Sequence, residues 1–264
     1  MKKGLIPVIL ILTLVAVPML PGCSGSIGTG EVITEKKDFS NFTSLDISSA
    51  FEVDITQSST YSVVISADES LFDYIEVTQT GSQLKIYLSP RHIFTDFTLG
   101  KRVLKAEISM ASLHELNISG ASKGTVTGFR SASPLKLIVS GATTLELSNI
   151  GAGDTDCEVS GASKLTGNLT IGNVDFIVSG ASSMEVSGVA NDMEIEISGA
   201  SRVDLEQFHV GNVDVILSGA SEATVYVNEV LNLEVSGASR LYFAGNPQLG
   251  KTNVSGASTI KHKD

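Results

Sequence analysis

Hydrophobic positions in this chain recur on two periods at once. The short period is two. In Phe51-Glu52-Val53-Asp54-Ile55, apolar and polar residues alternate, the pattern of a strand with one buried face. The long period is close to twenty. The word Ser-Gly-Ala-Ser, or a near copy, begins at residues 119, 140, 160, 179, 198, 218, 236 and 255, in steps of 18 to 21. Counted from the first Ser of each copy, position −3 holds Leu116, Leu137, Cys157, Phe176, Ile195, Val215, Leu233 and Thr252, and position −1 is Ile, Val or Leu throughout. Position −2 between them is mixed. Past the word, +5 (Leu145, Leu165, Met184, Val203, Leu241) and +7 (Val126, Leu147, Val186, Leu205, Val225) are again largely apolar, while +4 is polar.

Each repeat therefore predicts two short strands flanking a corner of small residues. A unit of this size cannot bury its own apolar face and must stack on its copies, which is the logic of a solenoid. The predicted fold class is all-β: one domain, a parallel β-helix with coils of roughly twenty residues, each coil about 4.8 Å from the next. An antiparallel sandwich or barrel also uses short strands, but it does not explain one word recurring at one phase. In the corner, Gly supplies conformations closed to other residues. Stacked serines are expected to form a hydroxyl ladder, each donating to the next.

Residues 38–110 lack the word but remain strand-like. Ile75–Leu88 reads as a hairpin around Gln79-Thr80-Gly81-Ser82-Gln83. The region is expected to form irregular coils that cap the N-terminal end, and residues 111–264 the eight regular coils. Residues 89–100 interrupt the pattern with a loop carrying Phe94 and Phe97. The loop is read as part of the cap, with those two rings as a candidate partner contact. Lys261-His262-Lys263-Asp264 at the other end reads as a charged block to end-to-end stacking.

The N-terminus adds a second kind of information. Lys2 and Lys3 precede an apolar run, Leu5–Leu20, and Leu20-Pro21-Gly22-Cys23 follows. Residues 1–22 are expected to be a lipoprotein signal peptide. Cys23 is the expected lipidation site, and residues 23–37 a flexible tether. An ordinary signal peptide with a chance cysteine is the alternative. The expected location is the extracytoplasmic face of a bacterial membrane, held through the lipid anchor.

Charge narrows the partners. A net charge of −11 argues against nucleic acid and against a polybasic membrane patch. Cys157, at a core position, reads as a small buried hydrophobe. The −4 column places Asp156, Asp175, Glu194 and Asp214 in consecutive coils. Like charges one rung apart oppose pairing, so this column is a candidate cation face. Its alternative is a solvated, screened surface. On the same face, Ile138, Ile177 and Ile216 occur on alternate coils, a candidate surface for a partner or a second copy. At +4, Lys and Arg residues with Glu222 among them predict a salt-bridged ladder. The four histidines, His92, His114, His209 and His262, fall in different columns. No phosphate loop, nucleophile elbow or histidine metal motif occurs. No cofactor is expected.

Three stretches together resemble the bacterial adhesin-like "head GIN domain" proteins: Phe39–Ile55, Tyr61–Asp68 and the run Leu-Asn-Ile-Ser-Gly-Ala-Ser from Leu116. The resemblance spans roughly residues 38–260. It implies a right-handed parallel β-helix and brings no catalytic residue with it. The expected function is a non-catalytic, lipid-anchored binding or scaffold module of the cell envelope with a protein or glycan ligand. A polysaccharide-acting β-helix lyase or hydrolase is the alternative.

Overall fold

Alternation and repetition are realised together in the computed structural model, which describes residues 31–89 and 103–263. The described N-terminal part holds β1 (Val32–Lys37), β2 (Ser44–Ile47), β3 (Glu52–Gln57), β4 (Ser62–Asp68), one helical turn α1 (Glu69–Phe72), β5 (Ile75–Thr80), β6 (Gln83–Leu88) and β7 (Leu104–Met110). Next come β8 (Glu115–Ile118), β9 (Lys123–Thr127), β10 (Leu135–Val139), β11 (Thr144–Gly151), β12 (Thr155–Val159), β13 (Lys164–Thr170), β14 (Val174–Val178) and β15 (Ser183–Val189). The chain ends with β16 (Asp192–Ile197), β17 (Arg202–Val210), β18 (Asn212–Leu217), β19 (Glu222–Val227), β20 (Val230–Val235), β21 (Arg240–Gly245), β22 (Gln248–Val254) and β23 (Thr259–His262).

The protein is an all-β parallel solenoid in one domain. Strands entering the corners form an eleven-stranded sheet, ordered β22-β20-β18-β16-β14-β12-β10-β8-β2-β6-β5. Strands leaving them form a twelve-stranded sheet, β1-β4-β7-β3-β9-β11-β13-β15-β17-β19-β21-β23. The apolar columns −3, −1, +5 and +7 point between the sheets and make one aliphatic core. Phe176 and Phe208 meet edge to face inside it, 6.1 Å between ring centres. Cys157 is buried in that core, and burial pushes its thiol up to about 12.

The corner has a tight physical cause. Each corner glycine from Gly120 to Gly256 has φ between 70° and 84°, a region that favours a residue without Cβ. A Cβ on Gly199 would also lie 2.3 Å from the carbonyl oxygen of Gly180, one coil away. The following alanine donates its N–H to that same oxygen, as Ala200 does to Gly180 at 2.7 Å. The serine ladder differs from expectation. From Ser122 to Ser239 the hydroxyls that end the corners are buried; six bond to carbonyls, and Ser182 Oγ has no hydrogen-bond partner among the described residues. Ser201 Oγ donates to Ser198 O at 2.9 Å and lies 3.4 Å from Gly180 O. A short side chain at a turn reaches its own backbone before it reaches the next serine.

The N-terminal region is more ordered than its sequence suggested. Leu45 and Ile47 of β2 lie in register with Leu116 and Ile118 of β8, and β3 with β9. Ser48-Ser49-Ala50-Phe51 is thus a further corner, with Ser49 (φ 77°) where the others have Gly and Ala50 also left-handed (φ 65°). A second coil, β6 with β7, stacks outside it, so the first coil in the chain lies second in the stack. The hairpin is present as β5–β6, with Thr80 opposite Gln83 and Gly81 at φ 59°. The cap is built from antiparallel pairs, β1–β4 and β4–β7. Residues 32–37, expected in the tether, are therefore strand β1. At the opposite end, β22 and β23 are the outermost strands of their sheets and β22 is exposed along its length.

Candidate functional site

The two sheets present different outer surfaces. On the eleven-stranded sheet, the −4 column stacks as read from sequence: Asp156 beside Asp175, Asp175 beside Glu194, Glu194 beside Asp214. Asp175 has its carboxyl held above the usual range by burial first, then by the charges of Asp156 and Glu196. Among the described residues, no group of three or more His, Cys, Asp or Glu is placed to hold a metal ion. In the −2 column, Ile138, Glu158, Ile177, Glu196 and Ile216 follow one another rung by rung. Ile177 and Ile216 are exposed and Ile138 is half-buried. Each isoleucine is therefore separated from the next by a glutamate, and no continuous apolar stripe forms. A shallow depression of about 230 Å³ lies between Ile138 and Ile177. Cys23, Phe94 and Phe97 lie outside the described residues.

The twelve-stranded sheet carries the predicted charge ladder in its later coils. Glu222 bridges Arg202 at 2.9 Å and Arg240 at 3.4 Å. Nearer the cap, Asp54 accepts from Thr125 Oγ1 at 2.5 Å and from Lys105 Nζ at 2.9 Å. The Thr125 hydrogen bond, followed by that from Lys105, holds its carboxyl below the usual range.

This sheet also holds a feature not visible in the columns. Between Leu205, opposite Val225, and His209, opposite Tyr226, residues 206–208 of β17 have no partner on β19. The register against β15 slips in the same place. The excursion turns Phe208 into the core and lifts Glu206, Gln207 and His209 outward. His209 and Tyr226 consequently become neighbours, their ring centres 4.0 Å apart. Two concavities open beside the bulge and share Glu206 and Gln207. One, about 250 Å³, is lined by Glu185, Ser187 and Asp204, and the other, about 370 Å³, by His209, Tyr226, Ala244, Gly245, His262 and Lys263. Lys263 Nζ is bonded to Glu206 across the second. Histidines assigned to different columns by counting thus line one furrow, because a fixed offset fails beyond a bulge. The signal in the sequence was coil length. The coil opened by Ser198 has 20 residues and the next only 18, so the longer one must bulge over its neighbour.

Solved structures share this architecture. They include a "Putative lipid binding protein" from Parabacteroides distasonis ATCC 8503, with 18% identity, 90% of this chain and 98% of that chain covered, and TM-score 0.78. They also include a "putative adhesin" from Parabacteroides merdae ATCC 43184, with 17% identity, 90% and 98% covered, and TM-score 0.74. At such identities the likeness establishes the fold alone. No curated protein matches the chain. The family model described as "Putative auto-transporter adhesin, head GIN domain" matches residues 41–247, from just before the first coil to the penultimate one, and the chain belongs to that family.

Proposed function

We propose that the protein is a lipid-anchored, extracytoplasmic, non-catalytic module that holds binding surfaces away from a membrane. The observation that carries this reading is polarity. β1, the strand nearest in sequence to Cys23, is the outermost strand at the capped end of the twelve-stranded sheet. An acyl chain on Cys23 would anchor that pole and leave both sheet faces free for a protein or glycan ligand or a second copy. The family match supports the adhesive part of the reading. Incorporation of labelled palmitate in a bacterial host tests the anchor: wild type takes up label and partitions with membranes. Cys23→Ser that still carries label and still partitions would overturn it.

A polysaccharide-acting enzyme is the second reading, because the furrow brings together Glu185, Asp204 and Glu206. Glycoside cleavage needs a carboxylate pair flanking the bond. Reducing-end release from a panel of polysaccharides separates the two readings. The expected result is no release above a boiled control.

A further inference from the structure

We infer that the furrow on the twelve-stranded sheet is a binding site for a neutral saccharide chain. This rests on the reading of the protein as a non-catalytic binding module. The first argument is shape. The two concavities adjoin at Glu206 and Gln207. From Glu185 to His262 they cross four rung spacings, about 19 Å. Two open concavities side by side do not enclose a small molecule as ordinary pockets do. They fit an extended polymer that meets one rung after another.

The second argument is the chemistry of the lining. Tyr226 is half-buried beside His209, in a concavity also lined by Ala244 and Gly245, with His262 Nε2 2.8 Å from the Gly245 carbonyl oxygen. Gly245 is held at φ 88°, and a Cβ there would lie 2.1 Å from Val227 O and 3.4 Å from the Tyr226 ring. A tyrosine ring beside two small residues offers an apolar contact. Carboxylates, an amide and a hydroxyl line the adjoining concavity: Glu185, Asp204, Glu206, Gln207 and Ser187. Such groups accept from and donate to hydroxyls. Acids dominate, and Lys263 is already engaged by Glu206, so an anionic polymer is disfavoured.

The third argument separates sugars from peptides. An extended peptide gains affinity by adding to a free sheet edge. This furrow lies mostly on the face of a sheet: outside the bulge β17 pairs with a neighbour on either side, and only the far end of the furrow, at β23, reaches an edge. Recognition here therefore falls to side chains.

The test uses the full chain on an array of neutral and acidic oligosaccharides and peptides, followed by calorimetry with a retained neutral hexasaccharide. The expected outcome is retention of at least one neutral oligosaccharide. Binding should weaken about tenfold in Tyr226→Ala and measurably in Gln207→Ala, whose exposed side chain leaves the fold intact. It should be unchanged in Ile177→Ser on the opposite sheet. Melting curves identify any variant that has lost structure, and Gln207→Ala then decides. Retention of peptides or acidic glycans alone, or neutral binding that survives both furrow substitutions, overturns the proposal. Release of reducing ends from a bound neutral chain has a different meaning: it overturns the non-catalytic reading and leaves the site standing.

Discussion

The outer faces of the two sheets are built from the same repeat and differ in almost everything else. On the eleven-stranded sheet, β10 to β18 pair without a single register shift, so its surface is flat, acidic and periodic. On the twelve-stranded sheet, β11, β15 and β17 all slip, and the slips cut a furrow. Differences in coil length are absorbed largely on one side of the solenoid. Regularity makes the fold, and departure from it makes a concave site.

The hardest test of that contrast is the place where the two sheets meet. Phe176 comes from the flat sheet and packs fully buried against Phe208 of the bulge. Phe176→Ala should cost about 4 kcal/mol in denaturant unfolding, and it should also weaken ligand binding at the furrow. A stability loss under 1 kcal/mol would mean that the bulge does not depend on this contact.

Second in size is the corner. Gly199→Ala faces both a left-handed backbone and a carbonyl at 2.3 Å, and should lose about 3 kcal/mol. Gly81→Ala has the same sign of φ but open space around it, and should lose only about 1 kcal/mol. Equal losses would show that conformation, not stacking, dictates the corner.

Smaller, and opposite in sign, are two carboxylates. Asp175 on the flat face has a raised pKa, so folding opposes its charge, and stability from this site grows as pH falls through that raised value. Asp175→Asn should stabilise slightly at pH 7, by a few tenths of a kcal/mol, read as a small rise in melting temperature, and the gain should disappear in acid. Asp54, across the solenoid, has a lowered pKa. It stabilises above the usual carboxylate range, and the benefit fades as pH falls through its lowered value. Asp54→Asn should therefore destabilise at pH 7 by up to about 1 kcal/mol. The same sign for both would erase the electrostatic contrast between the faces.

The smallest effect is expected at Glu222, whose bridges to Arg202 and Arg240 are exposed on the arginine side. Glu222→Gln should shift stability by no more than about 0.5 kcal/mol, an effect removed by added salt.

The fold was legible wherever the chain repeats itself. Columns such as Leu137-Cys157-Phe176-Ile195 became one side of the core because a fixed offset holds along the flat sheet. The corner at Ser48-Ser49-Ala50-Phe51 was missed because its left-handed positions carry no glycine. The exchanged order of the first two coils was hidden because chain order alone does not specify which coil lies outermost. The charge ladder around Glu222 was readable, since its three members share one offset. The furrow was not, because Glu206, Gln207 and His209 sit past a bulge, and Tyr226 joins them only through pairing. What remained readable there was arithmetic, a coil of 20 residues followed by one of 18.

The corner glycines carry a consequence for how such a molecule changes over generations. From Ala142 to Ala257, each corner alanine donates to the glycine carbonyl of the corner before it, and the glycine carbonyls from Gly141 to Gly237 serve the corner after in the same way. A duplicated coil of 19 or 20 residues would find an identical seat and present an identical seat to its successor. The cap at one end and the last strands at the other would each keep the neighbour they already have, as in other proteins whose units touch only adjacent units. Rod length is then a heritable quantity that varies by copy number, about 4.8 Å at a time. The rod lengthens in those steps while the furrow keeps its shape.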